Sequence, residues 1–165
     1  MKPVFFFLPG IIFLAACGSP PPATHTANAT PTGVGWIISP AEGVVRTHCV
    51  SPVQDHETAF AALQASGETL EYYSDPAYGV AVCKIETVGW QATPATCFGP
   101  DLSSATWIFF LMNRQSGLWE QASVGVDSLT IKAGDLLAFF FTTYDPTTFN
   151  PIGQPPPVSF RDVCP

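Results

Sequence analysis

The side chains able to do chemistry are few and scattered. The three histidines are His25, His48 and His56. His25 lies in a polar stretch, His48 adjoins Cys49, and His56 precedes an apolar run read below as a helix. A Ser-His-Asp hydrolase needs a base held by a carboxylate and a nucleophile on a sharp strand-to-helix turn, and the chain contains no such elbow. Asp127 and Glu120 have the right types for a carboxylate pair, but their surroundings read as solvated strand charges. Asp135, in the turn Ala133-Gly134-Asp135, reads as a cap on backbone amides. There is no glycine-rich phosphate loop, no C-x-x-C, and no His placed near two cysteines, so phosphate, thiol-redox and zinc chemistry find no motif. The expectation is a protein that is not an enzyme and has neither a metal nor a cofactor of its own.

Composition narrows the partners. The 165 residues carry 6 Lys plus Arg against 13 Asp plus Glu, a formal net charge of −7. Nucleic-acid binding requires a basic face, so nucleic acid is excluded, and so is attachment to anionic lipid through basic side chains. Hydrophobic residues make up 47% and aromatic residues 13%, enough at this length to fill one core. The 17 prolines and 13 glycines interrupt helices and favour a β-dominated domain.

Met1-Lys2 precedes an apolar run from Val4 to Ala16, too short for the ~20 residues of a spanning helix but right for a secretory leader. It ends in Leu14-Ala15-Ala16-Cys17, which resembles the lipobox of bacterial lipoproteins. That resemblance implies that Cys17 is lipidated and anchors the protein to a membrane. The alternative is an ordinary signal peptide cut near Ala15 or Ala16. Either route places the domain outside the cytoplasm, in a periplasm or on a cell surface. With Cys17 assigned to lipid, Cys49, Cys83, Cys97 and Cys164 form an even set in an oxidising compartment. Four cysteines allow three pairings. The one expected is Cys83–Cys97, closing a short loop, with Cys49–Cys164, tying the tail to the first strands.

Residues 18–31 lack apolar periodicity and read as a flexible tether. Strand-like runs follow at Trp36–Ile38, Val44–Val50, Thr69–Tyr73, Val80–Val88, Thr106–Asn113, Val124–Ile131 and Leu136–Thr143. Between them, Asp55 or Thr58 caps a helix that runs to Ser66, with Ala59, Phe60 and Leu63 on one face. One helix and many strands predict a mixed sheet crossed by a single helix, with Val80–Val88 near an edge because Lys84 and Glu86 share a side.

The ordered set Glu57 to Leu63, Tyr72-Tyr73, Tyr78-Gly79, Cys83 to Glu86, Trp107 to Asn113, Gly117 to Trp119 and Lys132 to Asp135 resembles the transcobalamin-like C-terminal domain family over residues 44–143. Asn113-Arg114 stands where that family usually has Asn-Gly. The resemblance implies an α+β fold: a β-grasp-like mixed sheet, one short helix packed on one face, and a Pro-rich C-terminal strap. It also implies cobalamin, or a similar flat molecule, as ligand. The organisation expected is a signal peptide at 1–16, a tether at 17–33, the β-grasp-like domain at 34–144 and the strap at 145–165.

The central strands carry the strongest signal. In Thr106–Asn113, Ile108, Phe110 and Met112 point one way while Trp107, Phe109 and Leu111 point the other; Leu136–Phe141 is likewise apolar on both sides. One helix covers one face. The other requires the tail, through Phe149, Ile152, Val158 and Phe160, or an apolar ligand, or a protein partner. Trp90 and Trp119, beside turns, are the expected exposed aromatics, and with Asn113 they are the expected ligand-binding set. The function expected is an extracytoplasmic, lipid-anchored binding module; its rival is a surface interaction or structural lipoprotein with no small-molecule site. Cys17→Ser is expected to release the protein from membranes in cell fractionation, and retention of the variant in the membrane pellet would contradict the anchor.

Overall fold

Alternating β-branched and aromatic residues pair Val34–Ala41 (β1) with Val44–Val50 (β2) across a tight turn at Glu42-Gly43. A computed structural model describes residues 30–51, 56–77, 79–101 and 103–165. The leader, Cys17, most of the tether, Asp55 and Tyr78 lie outside the described residues. Thr58, not Asp55, is the residue seen capping Ala59–Ala65 (α1): its Oγ1 accepts from the Ala61 amide at 3.2 Å, and the helix stops at Gly67. Leu70–Asp75 (β3), Gly79–Ile85 (β4) and Val88–Gly89 (β5) form an antiparallel meander. Thr106–Met112 (β6) and Trp119–Gln121 (β7) form a hairpin, Leu136–Thr142 (β8) is the last strand, and Phe160–Val163 (α2) adds a single helical turn.

The result is a mostly β fold with two short helices among the described residues, in keeping with the α+β class. One mixed sheet is predicted, but the chain builds two. The larger runs β2-β1-β8-β6-β7, with β1 and β8 parallel at its centre, and β3-β4-β5 stands apart. β4 is therefore the middle strand of a small sheet rather than an edge of the large one. Its Lys84 pairs with Glu71 of β3 on the outer side at 2.8 Å, while Val82 and Ile85 turn into the core.

Val124–Ile131 is a second correction, for it forms turns and not a strand. Its apolar side chains Val126 and Ile131 are buried in the core, yet its backbone serves α1. The Leu129 and Val126 carbonyls accept from the Ala59 and Phe60 amides, each at 2.9 Å. The first amides of a helix lack partners within it, so the loop supplies them.

Side chains from both faces of the large sheet are buried. On the first, Trp36, Ile38, Trp107, Leu137 and Phe139 meet Ala59, Ala62 and Leu63 of α1 and Val82 and Ile85 of β4. On the second, Ile37, Ile108, Phe110, Ala138 and Phe140 meet Trp119 and Val163, with Val158 and Phe160 packed alongside. Phe149 and Ile152, expected on this face, instead stand 65% and 52% exposed. Ile152 is held by its backbone at the end of β8, its carbonyl accepting from Thr142 Oγ1 at 2.6 Å and its amide donating to the Thr143 carbonyl at 2.8 Å, which leaves the side chain outside. Gly35 lets α2 approach: a Cβ there would lie 2.5 Å from Leu136 Cδ2 and 2.9 Å from Val163 Cγ1.

Both disulfides form as expected, Cys83–Cys97 across 14 residues and Cys49–Cys164 across 115. Loops near these sizes contribute roughly 3 and 4.7 kcal/mol in the chain-entropy picture. They fit an oxidising compartment.

Against β2, Glu68 is nearly buried, its side chain 4% exposed. Arg46 donates to it through Nε and an Nη at 2.8 Å each, and His48 Nε2 lies 2.7 Å away. Burial works to raise the Glu68 pKa, but the hydrogen bonds and charges of Arg46 and His48 outweigh it and hold the carboxyl below its ordinary value of 4.5. A depressed folded-state value means this stabilisation is complete above the unfolded-chain pKa and is lost as pH falls through the folded one. Glu68→Gln is therefore expected to cost about 1–3 kcal/mol at neutral pH. Urea unfolding across pH 2–7, a window set by the carboxylate range, should show the difference from wild type shrinking toward the acid end; a constant difference would exclude the linkage.

Candidate functional site

The pairing of the central strands places aromatic rings side by side on the first face. Phe109 of β6 lies directly across from Phe139 of β8, and their rings stack at 5.3 Å between centroids. Trp36 stacks on Phe139 at 5.8 Å, and Trp107 meets Phe139 edge-on at 6.4 Å. The Trp107 indole N–H donates to the Val88 carbonyl at 3.0 Å, which fastens the ring to the small sheet. Aromatic pairs of this kind contribute about 0.5–1.5 kcal/mol each beyond area burial, which adds to the core packing that fixes the rings.

The cover over these rings does not close. Between the sheets lies a groove of about 520 Å³, with Trp107, Phe109 and Phe139 on the large-sheet side. Tyr73, Asp75 and residues 79–82 form the opposite wall, and Pro94, Phe98 and residues 124–126 form the rim. The Cys83–Cys97 bond ties the Phe98 loop to the β4 wall. Phe98 and Val124 are 58% and 46% exposed, large apolar groups left in solvent at the mouth. The volume falls in the ~300–1,000 Å³ range of small-molecule sites.

Asp75 supplies the charge among the described lining residues. Its Oδ1 accepts from the Ala77 amide at 2.7 Å, and the Tyr73 hydroxyl lies 3.4 Å from Oδ2. Behind the wall, Asp127 packs on Gly79, where an added Cβ would lie 2.6 Å from Asp127 Oδ1. That oxygen is buried with no hydrogen-bond partner among the described residues. The arrangement offers shape, aromatic faces and negative charge. Among the described residues no three His, Cys, Asp or Glu side chains gather to hold a metal ion.

The residues expected to bind ligand are not brought together. Trp119 is 9% exposed, and its indole N–H donates to the Pro156 carbonyl at 3.0 Å. Expected at the surface, it is part of the second-face core, because β7 pairs with β6 and turns the ring inward. Trp90 is half-buried and donates to the Ala105 carbonyl at 2.7 Å, closing the 91–105 loop. Asn113 accepts from the Gln115 and Ser116 amides and donates to Glu120 Oε1, so it shapes the β6–β7 turn. It lines a separate recess of about 200 Å³ with Arg114 and Phe160. Glu120 and Asp127 form no carboxylate pair, since Glu120 is held by Asn113 and Asp127 lies against Gly79.

Sequence reasoning placed Trp107 and Phe109 on one face but did not join them to Tyr73, Asp75 and Phe98. The available signal was Phe98 itself, a large aromatic next to a cysteine expected in a disulfide. Comparison with known proteins adds no relatives: no protein-family model matches the chain, and neither does any curated protein.

Gly79 has φ of +80° and faces the Asp127 carboxylate, so Gly79→Ala is strained on both counts. A loss of roughly 1–3 kcal/mol in urea unfolding is expected. Unchanged stability would mean that Asp127 does not press on this wall.

Proposed function

We propose that the protein is an extracytoplasmic, lipid-anchored, non-catalytic domain that holds a small flat apolar ligand in the groove between its two sheets. The observation that carries this reading is the groove of about 520 Å³ lined by Phe109 and Phe139, which stack, and by Trp107, edge-on to Phe139. Rings fixed in advance lose little entropy when a flat molecule lies on them. The two disulfides support an oxidising location, and the lipobox resemblance supports the anchor.

The large sheet together with α1 reads as a β-grasp. A first hairpin, a crossing helix and a last strand inserted parallel beside the first support it. The C-terminal segment acts as a strap, supported by Val158, Phe160 and Val163 on the second face and by the Cys49–Cys164 bond. This agrees with the resemblance to transcobalamin-like C-terminal domains and makes cobalamin the first ligand to test. A second reading, a surface interaction protein with no small-molecule site, draws on Phe98 and Phe149, which are exposed around a further recess of about 240 Å³.

The test is titration of the purified protein with cobalamin and with the neutral fluorophore N-phenyl-1-naphthylamine, following tryptophan emission. Saturable quenching at micromolar concentration is expected for at least one. Phe109→Ala should weaken binding by about tenfold, the equivalent of losing one favourable ring contact. No saturable response to either compound would favour the interaction-protein reading.

A further inference from the structure

We infer that the protein has a second ligand site, independent of the groove between the sheets. The recess of about 240 Å³ at the end of the large sheet binds a small amino alcohol of the choline class. Its ammonium group lies between Phe98 and Phe149 and beside Asp101 and Asp145, and its hydroxyl reaches Thr106.

The recess is built by strand pairing. β6 begins at Thr106, which pairs with Thr142 at the end of β8. The segments that enter β6 and leave β8 run past the sheet together. They bring Phe98 and Asp101 from one, and Tyr144, Asp145 and Phe149 from the other, to one place. Phe98 is the only one of these residues that also lines the groove. Phe98 and Phe149 are 58% and 65% exposed, so their rings stand open to a ligand and are not locked in a core. Phe98 is held from both sides. Cys97 is bonded to Cys83, and a Cβ on Gly99 would lie 2.3 Å from Ser104 Cβ. The electron-rich faces of such rings attract ammonium groups.

The charge is negative and unbalanced. No Lys, Arg or His is among the described lining residues, and no ion pair holds Asp101 or Asp145 among the described residues. Asp101 Oδ1 accepts from the Ser103 amide at 3.0 Å, the Ser103 hydroxyl at 2.7 Å and the Ser104 hydroxyl at 3.0 Å. Asp145 Oδ1 accepts from the Thr147 amide at 2.9 Å, the Thr148 amide at 2.7 Å and the Thr148 hydroxyl at 3.1 Å. These bonds, the Ser103 hydroxyl foremost for Asp101 and the Thr148 amide for Asp145, hold both carboxyls below their ordinary value of 3.8. Both are ionised at neutral pH. An anion would meet two like charges. A guanidinium fork needs both oxygens of one carboxylate, and Oδ1 of each is already taken. An alkylated ammonium needs only nearness to charge and rings.

Thr106 supplies an independent observation. Trp107 faces the first side of the sheet and Ile108 the second, so by alternation Thr106 lies on the second. It is 5% exposed and lines the recess, and its Oγ1 is buried with no hydrogen-bond partner among the described residues. A buried hydroxyl left unpaired is costly, and a ligand hydroxyl recovers the bond. The site therefore asks for a cation at its mouth and an oxygen at its depth.

The purified protein, labelled with 15N, is titrated with three probes of one shape. Choline carries both groups, 3,3-dimethylbutan-1-ol lacks the charge, and propyltrimethylammonium lacks the hydroxyl. Amide shifts in the NMR spectrum read affinity and place. Choline is expected to move the amides of Phe98, Thr106 and Phe149 and to leave residues 79–82 of the groove wall unmoved. It should bind at least about tenfold more tightly than the alcohol, a gap that added salt narrows. It should bind about threefold more tightly than propyltrimethylammonium. Asp101→Asn with Asp145→Asn keeps an oxygen for the local amides and should abolish the first preference. Thr106→Val keeps the shape and should abolish only the second. Phosphocholine, the same head joined to phosphate as in a lipid, should bind more weakly than choline because both carboxylates repel it. Tighter binding of phosphocholine would overturn the assignment to a free amino alcohol. Equal affinity for choline and the neutral alcohol, either preference surviving its substitution, or shifts confined to the groove would overturn the inference. The wild-type comparison decides even where a variant fails to fold. No shift with any probe at millimolar concentration would remove this site and leave the groove reading intact.

Discussion

A sheet whose central strands are apolar on both faces must be covered twice, and the rest of this structure follows from that requirement. β1, β8 and β6 leave no face that water can occupy cheaply. The first face is met by α1, the small sheet and the 124–131 loop. The second is met by Trp119 and the C-terminal segment. None of these covers is a strong element alone: α1 has 7 residues, α2 has 4 and β5 has 2. Helices shorter than about 12–15 residues are marginal by themselves. Burial against the sheet stabilises them, and a disulfide at each cover restricts the unfolded chain. Cys83–Cys97 joins the small sheet to its rim loop, and Cys49–Cys164 joins β2 to the end of α2.

A cover assembled from separate pieces does not tile as one element would. α1 and the small sheet meet the large sheet at different places, and the groove is the space between the small sheet, the rim loops and the aromatic floor. Arg46, Lys84 and Arg114 pair with Glu68, Glu71 and Asp135, none of which lines that groove.

Much of the fold was legible because its signals are local. The strands at Val44–Val50 and Thr106–Met112 come from runs of β-branched and aromatic residues, and α1 from a capping threonine, a helical apolar face and a closing glycine. The cysteine pairings were legible from loop size and from the need to tie down the tail. The errors have a common cause. Val124–Ile131 is rich in β-branched residues as a strand is, but its Val126 and Leu129 carbonyls are taken by the start of α1 and its one ladder contact is an isolated bridge between Thr130 and Thr58. Trp119 sits beside a turn, yet the β6–β7 register turned its ring inward. The meander β3-β4-β5 reads in sequence as two more strands of one sheet, Thr69–Tyr73 and Val80–Val88, because neither the break between β4 and β5 nor the hydrogen-bond partners are written in the pattern of a single strand.

The amino-acid sequence by itself determined the mostly β character, the two-faced central strands and the capped helix, since each depends on residue types at short spacing; of the three pairings its four cysteines allow, the structure forms the one expected. Only the tertiary structure decided that two sheets form, which aromatics face one another, and that Asp75 and Asp127 stand by the same groove. Those outcomes depend on distances between residues far apart in the chain, and such distances arise only when competing elements have divided the faces of the central sheet among themselves.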